Sequence, residues 1–198
     1  AANAVVRNAG AQPGDKLYLT KPLGVGIMTA AARIDCIGQE DLRPVIDSMM
    51  ELNSAGSKAM VAAGAHAATD VTGFGLAGHL HEMLEASNCS AVIDFPSLPL
   101  FSQAWQLCCD YCRPGRTFST IEYLSASIDK GSLDEVEFDN RLGIICDPQT
   151  SGGILTAIPA ENAAKFEEEF ERLAGRAPAQ IGLVTEGNVG RISFADGN

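Results

Sequence analysis

The residues best placed by type and spacing to do chemistry lie in Thr69-Asp70-Val71-Thr72-Gly73-Phe74-Gly75-Leu76-Ala77-Gly78-His79-Leu80. A short, largely apolar approach from Ala65 to Ala68 ends at a carboxylate, and glycines follow at 73, 75 and 78. Beyond them Leu76, Leu80, Met83 and Leu84 recur with the spacing of one helix face. The stretch reads as strand, tight glycine turn and helix N-terminus. Such a terminus offers free N–H groups and partial positive charge, and glycines let a ligand come close to the backbone. Phosphate suits that place. Asp70 is then the odd member, an anion where an anion should bind.

Three readings follow from the spacing. Gly73-x-Gly75-x-x-Gly78 matches a dinucleotide fingerprint, and Asp94 stands 21 residues after Gly73, where such a fold puts its ribose-binding acid. Asp70 argues against it. A carboxylate beside pyrophosphate costs about 4 kcal/mol at roughly 4 Å and an effective dielectric near 20. A divalent cation reverses the sign, because Mg²⁺ is commonly held by one or two carboxylates plus substrate phosphates. The metal–phosphate reading is therefore favoured, with Asp70 as ligand. The third reading is a structural glycine turn capped by Asp70 or Thr72.

Other groups carry less. Asp147-Pro148-Gln149-Thr150-Ser151-Gly152-Gly153 supplies hydroxyls and exposed N–H groups, so it is an anion nest or a strand-entry turn. Lys21-Pro22-Leu23-Gly24 makes a second strand–glycine–helix junction, read as a plain turn. Cys109-x-x-Cys112 closes a helix instead of opening one, which disfavours a redox motif. Zinc needs four ligands, with only His66, His79 and His81 to add; packing thiols are the simpler reading. His79 sits one turn into the helix, as a supporting or surface residue.

These groups need elements to position them. Strands are expected over 15–20, 90–95, 153–158, 181–185 and 189–194, the last two as a hairpin about Glu186-Gly187-Asn188. Helices are expected over 24–32, 39–63 with a break at Gly56, 75–87, 100–111 with Trp105 in the core, and 159–173 closed by Gly175. Residues 113–117 read as a loop and 120–140 as a short helix with irregular chain. Asp196-Gly197-Asn198 should fray. Strands interleaved with helices give α/β or α+β with a mixed sheet.

Composition excludes several partners. The 198 residues suffice for one large domain, and 46% are hydrophobic. No apolar run approaches the ~20 residues of a membrane helix. The net charge is −11 with only 14 scattered Lys and Arg, so neither nucleic acid nor membrane is an expected partner. Six cysteines without scaffold spacing point to a reduced, cytoplasmic protein. The opening Ala1-Ala2-Asn3-Ala4 lacks a Met, and a fragment is expected.

Asp70 to Leu80, Asp147 to Gly153 and Thr20-Lys21-Pro22-Leu23-Gly24-Val25-Gly26 together resemble, in order, three stretches of the C-terminal domain of the selenophosphate synthetase family (selenide, water dikinase). That family lies in the aminoimidazole ribonucleotide synthetase superfamily. The resemblance covers nearly the whole chain. It implies an α+β domain, a mixed sheet covered by helices, that pairs with an N-terminal domain absent from this chain. The family forms selenophosphate from selenide, ATP and water with Mg²⁺, releasing AMP and phosphate, and the full enzyme is expected to be a homodimer. Asp70 is then a Mg²⁺ ligand, and Thr72, Gly73 and Gly75 line the ATP phosphates. The reactive residue belongs to the N-terminal half, so no catalytic residue is expected here and the chain alone should be inactive. One departure is visible. Where the family pattern implies Gly-Gly-Thr and then Asn, this chain has Gly115-Arg116-Thr117-Phe118-Ser119.

Overall fold

The computed structural model describes residues 5–195. The expected fraying at 196–198 and the opening residues 1–4 lie outside them. Among the described residues, one seven-stranded sheet runs in the order β2-β5-β1-β6-β3-β7-β4. Its strands are β1 (Lys16–Leu19), β2 (Ala67–Asp70), β3 (Ser90–Ile93), β4 (Ile128–Asp129), β5 (Ile154–Ile158), β6 (Ala179–Thr185) and β7 (Ile192–Phe194). The helices are α1 (Val25–Arg33), α2 (Gln39–Met50), α3 (Ser54–Ala63), α4 (Gly75–Ser87), α5 (Ala104–Cys109), α6 (Gly115–Leu124), α7 (Glu135–Ile145) and α8 (Ala163–Ala174). The expected α+β class with a mixed sheet holds.

The sheet is covered on both faces, as alternation in its central strands requires. Leu17 and Leu19 of β1 enter the larger core, which also takes Ile27 of α1, Leu76 and Leu80 of α4, and Ile144 of α7. Tyr18, between them, points the other way. It meets Phe166 at 4.9 Å between ring centroids, in a smaller core with Ala59, Ile158 and Phe170 beneath α3 and α8. The Tyr18 hydroxyl donates to Glu167.

Four expectations need correction. The 181–194 hairpin does not form. β3 lies between β6 and β7, antiparallel to the first and parallel to the second. Gly182 permits this, since a Cβ there would lie 2.2 Å from the Val92 carbonyl oxygen. The connection between β6 and β7 is also long enough to pass the end of β3. The break in 39–63 falls at 51–53, not at Gly56. Lys21 Nζ donates to the Ser48 and Glu51 carbonyls, and Asn53 Nδ2 to the Gly152 carbonyl at 2.8 Å, which together end α2. Residues 113–117 are not all loop, because Pro114 stands at the N-cap of α6. The helix expected over 100–111 is reduced to α5, where Trp105 is half-buried against Phe95.

Phe166 is fully buried and contacts both Tyr18 and Phe170. Phe166→Ala should cost about 3–5 kcal/mol. The check is the denaturant midpoint, which should fall with an unchanged slope.

Candidate functional site

The three motifs meet at residues 147–153. Lys21 Nζ donates to Ser151 O at 2.8 Å. Val25 N–H donates to Gln149 Oε1 at 3.2 Å and Gly26 N–H to Asp147 Oδ2 at 2.9 Å. From the other side, Val71 N–H donates to Gly153 O at 2.9 Å, and Gln149 N–H to Thr72 O at 3.0 Å. Glycines make room for this. A Cβ on Gly26 would lie 2.4 Å from Asp147 Oδ1, one on Gly152 2.3 Å from Val71 O, and one on Gly153 2.5 Å from Lys21 N.

The junction before α1 thus holds a carboxyl group, but an internal one. Asp147 is fully buried at the helix N-terminus. Burial pushes its carboxyl up to about 8, against the pull of the Gln149 side chain and the Gly26 and Ile27 amides. Gln149 Nε2 donates to Oδ2 at 2.9 Å, while Oδ1 is buried without a hydrogen bond among the described residues. At this end the Asp147 motif occupies the helix N-terminus itself instead of leaving it to a ligand.

Asp70 is different. It ends β2, at the edge of the sheet, and is exposed. Its carboxylate has no hydrogen bond or ion pair among the described residues, and it borders an open depression with Asn53, Met60, Thr69 and Ile154. Two residues on, the half-buried Thr72 pairs Oγ1 with His79 Nε2 at 3.0 Å. His79 is buried. Burial lowers its basicity, opposed by Glu82 and Asp70, so it stands as a largely neutral imidazole that orients Thr72. Of the supporting and surface places read for it, burial excludes the surface one.

The two candidate phosphate glycines differ. Gly73 is exposed, and a Cβ there would meet nothing within 4 Å. Gly75 is buried at φ +67°, and a Cβ would lie 2.8–2.9 Å from the backbone of residues 145–147. Its N–H donates to Thr72 O. Gly73 therefore presents backbone to solvent, and Gly75 shapes the turn. Sequence reasoning missed Arg116, whose guanidinium lies 4.4 Å over the half-exposed Phe74 ring with no ion pair among the described residues. An exposed aromatic inside a glycine turn was the signal for such a partner.

The dinucleotide reading fails on topology. Asp94 follows β3, and three strands separate β3 from β2. At about 4.8 Å per strand that puts the turn and Asp94 roughly 19 Å apart. Asp94 is also engaged, accepting from the Ser97 hydroxyl.

As for metal, no group of three or more His, Cys, Asp or Glu among the described residues could hold an ion alone. The free carboxylate of Asp70 could give one ligand to a Mg²⁺ ion, which would need its other ligands from outside this chain. All six cysteines are free. No helix among the described residues is long and apolar enough to cross a membrane.

Residues 12–194 match the family described as AIR synthase related protein, C-terminal domain. The chain belongs to that family. It is 40% identical over 196 residues to a selenide, water dikinase of Aeromonas hydrophila, which covers 99% of this chain and 52% of the relative. It is 42% identical over 164 residues to a selenide, water dikinase of Aeromonas salmonicida, covering 83% of this chain and 46% of the relative. The chain thus spans about half the length of these relatives. In fold it is similar to thiamine-monophosphate kinase from Stenotrophomonas maltophilia, with TM-score 0.66 and 16% identity over 98% of this chain and 54% of that one. A hydrogenase maturation protein HypE in complex with ATP gives 0.61 and 17% over 96% and 49%.

The position of Asp147 fixes a pH dependence. Its folded pKa lies above the ordinary carboxylate value, so its contribution to stability is complete below about pH 4 and is lost as pH rises through about 8. Melting temperature should therefore fall between pH 5 and 8.5 in the wild type. Asp147→Asn should flatten that fall, and parallel melting curves for the two proteins would count against the assignment.

Proposed function

We propose that this chain is the C-terminal domain of an enzyme that converts selenide, ATP and water to selenophosphate, AMP and phosphate. In this reading an N-terminal domain supplies the reactive residue and most metal ligands, and the chain alone is inactive. Support comes from the two Aeromonas relatives, whose names carry this activity and whose extra length is about that of one more domain. The ATP in a HypE complex of similar fold is consistent with ATP as substrate.

The observation that carries the site is the free carboxylate of Asp70. Other acids beside this turn are engaged: Asp147 caps α1, and Glu82 lies 3.8 Å from His79. Asp70 is exposed and unpaired where β2 enters the glycine turn. It would be one ligand to Mg²⁺, which when bound offsets phosphate charge during phosphoryl transfer. Gly73 lets a phosphate oxygen approach the backbone, and Thr72 offers a hydroxyl held by His79. Arg116 adds positive charge from across Phe74. Gly75 supports the phosphate-lining role through the turn's shape.

The test is Asp70→Asn in the full-length protein. Asn keeps the size and one oxygen and removes the charge. Selenide-dependent ATP turnover should fall at least about 100-fold, with melting temperature within about 2 °C of wild type. Normal turnover would end the metal-ligand reading and favour a supporting domain without a ligand of its own.

A further inference from the structure

Two helices that pack together, α1 and α5, end in the same way. Past α1, Cys36 N–H donates to Ala31 O at 3.0 Å; past α5, Cys112 N–H donates to Leu107 O at 2.9 Å. These are the wide bonds of one type of helix-ending turn. In each, the residue before the cysteine takes a left-handed conformation without being glycine, Asp35 at φ 57° and Tyr111 at φ 61°. Side chains other than glycine rarely adopt it. The matched turns leave both thiols on the same side of this helix pair; burial raises the Cys112 thiol, and the Cys36 side chain is its nearest interacting group. Cys36 is exposed and Cys112 half-buried. Cys109, its neighbour in the C-x-x-C spacing, instead lies among Arg113, Asp110 and Glu137. The pair that meets in space is not the pair that the sequence suggests.

We propose that Cys36 and Cys112 form a reversible dithiol–disulfide pair whose oxidant is a low-molecular-weight disulfide. Cys36, the more exposed thiol, acts first. Its thiolate attacks one sulfur of the small disulfide, that S–S bond breaks, and the leaving thiolate takes up a proton. Cys112, deprotonated to water, then attacks Cys36 Sγ. The Cys36–Cys112 bond forms and the second small thiol departs. The protein gives up two electrons and two protons, and the small disulfide gains both. Exposure of Cys36 admits the oxidant, and proximity of Cys112 resolves the adduct. The bond joins the segment after α1 to the one leading into α6, and so to Arg116. It closes a loop of about 75 residues, long enough to stabilise the fold by restricting the unfolded chain.

The test is oxidation of the purified protein by oxidised glutathione, alkylation of free thiols, digestion without reduction and mass analysis of linked peptides. The expected result is a Cys36–Cys112 cross-link as the dominant intramolecular disulfide, reversed by dithiothreitol and retained in Cys109→Ser. Its melting temperature should rise by roughly 5–10 °C. Cys36→Ser, at an exposed position, should abolish the cross-link. A Cys109–Cys112 link, or separate glutathione adducts on Cys36 and Cys112 with no cross-link, would overturn the proposal.

Discussion

The contact between Asp147 and the N-terminus of α1 is the constraint on which the rest depends. A buried carboxyl is costly unless it is bonded or neutral, and here both remedies operate. Gly26 and Gln149 bond one oxygen, and burial holds the group toward its protonated form. Because Asp147 is fixed there, Pro148 to Gly153 run past the start of α1. They reach Lys21 on one side and the Val71–Thr72 backbone on the other. Gly26, Gly152 and Gly153 stand where backbone segments approach too closely for a side chain.

This packing sorts residues that look alike in sequence. Two acids, Asp70 and Asp147, each precede a turn rich in small residues. One is fully buried and supports the helix junction; the other is exposed and unpaired. Two glycines of one turn divide in the same way, Gly75 against the backbone of residues 145–147 and Gly73 open to solvent. Lys21, whose charge in such a motif suggests a phosphate contact, spends its three donors on the Ser48, Glu51 and Ser151 carbonyls. What stays exposed around the turn is Asp70, Gly73 and Arg116, with Thr72 half-buried and held by His79.

Much of the fold was legible where periodicity was strong. α4 begins and ends as its apolar spacing predicts, and α8 closes at Gly175 in the left-handed conformation. Partner choice between strands was not legible. β6 and β7 are neighbours in sequence, yet β3 takes the edge between them because Gly182 lets Val92 come close, a contact no local pattern records. Residues 113–117 read as a loop, and Pro114 proved to be the N-cap of α6. At the glycine turn, the sequence singled out Asp70 by its charge, and the structure shows it exposed at the end of β2. The role of Asp147 was not, since a buried acid and a surface acid are written with the same letter. Arg116 reaches Phe74 only through the packing of α6 beside α4.

In the proposed function, Asp70 reaches the phosphates of ATP through a metal ion. The most direct measurement is ATP affinity by calorimetric titration with and without Mg²⁺, for wild type and Asp70→Asn in the full-length protein. Coupling is expected: Mg²⁺ strengthens ATP binding in the wild type, and most of that gain vanishes in the variant. An equal Mg²⁺ effect in both proteins would contradict it.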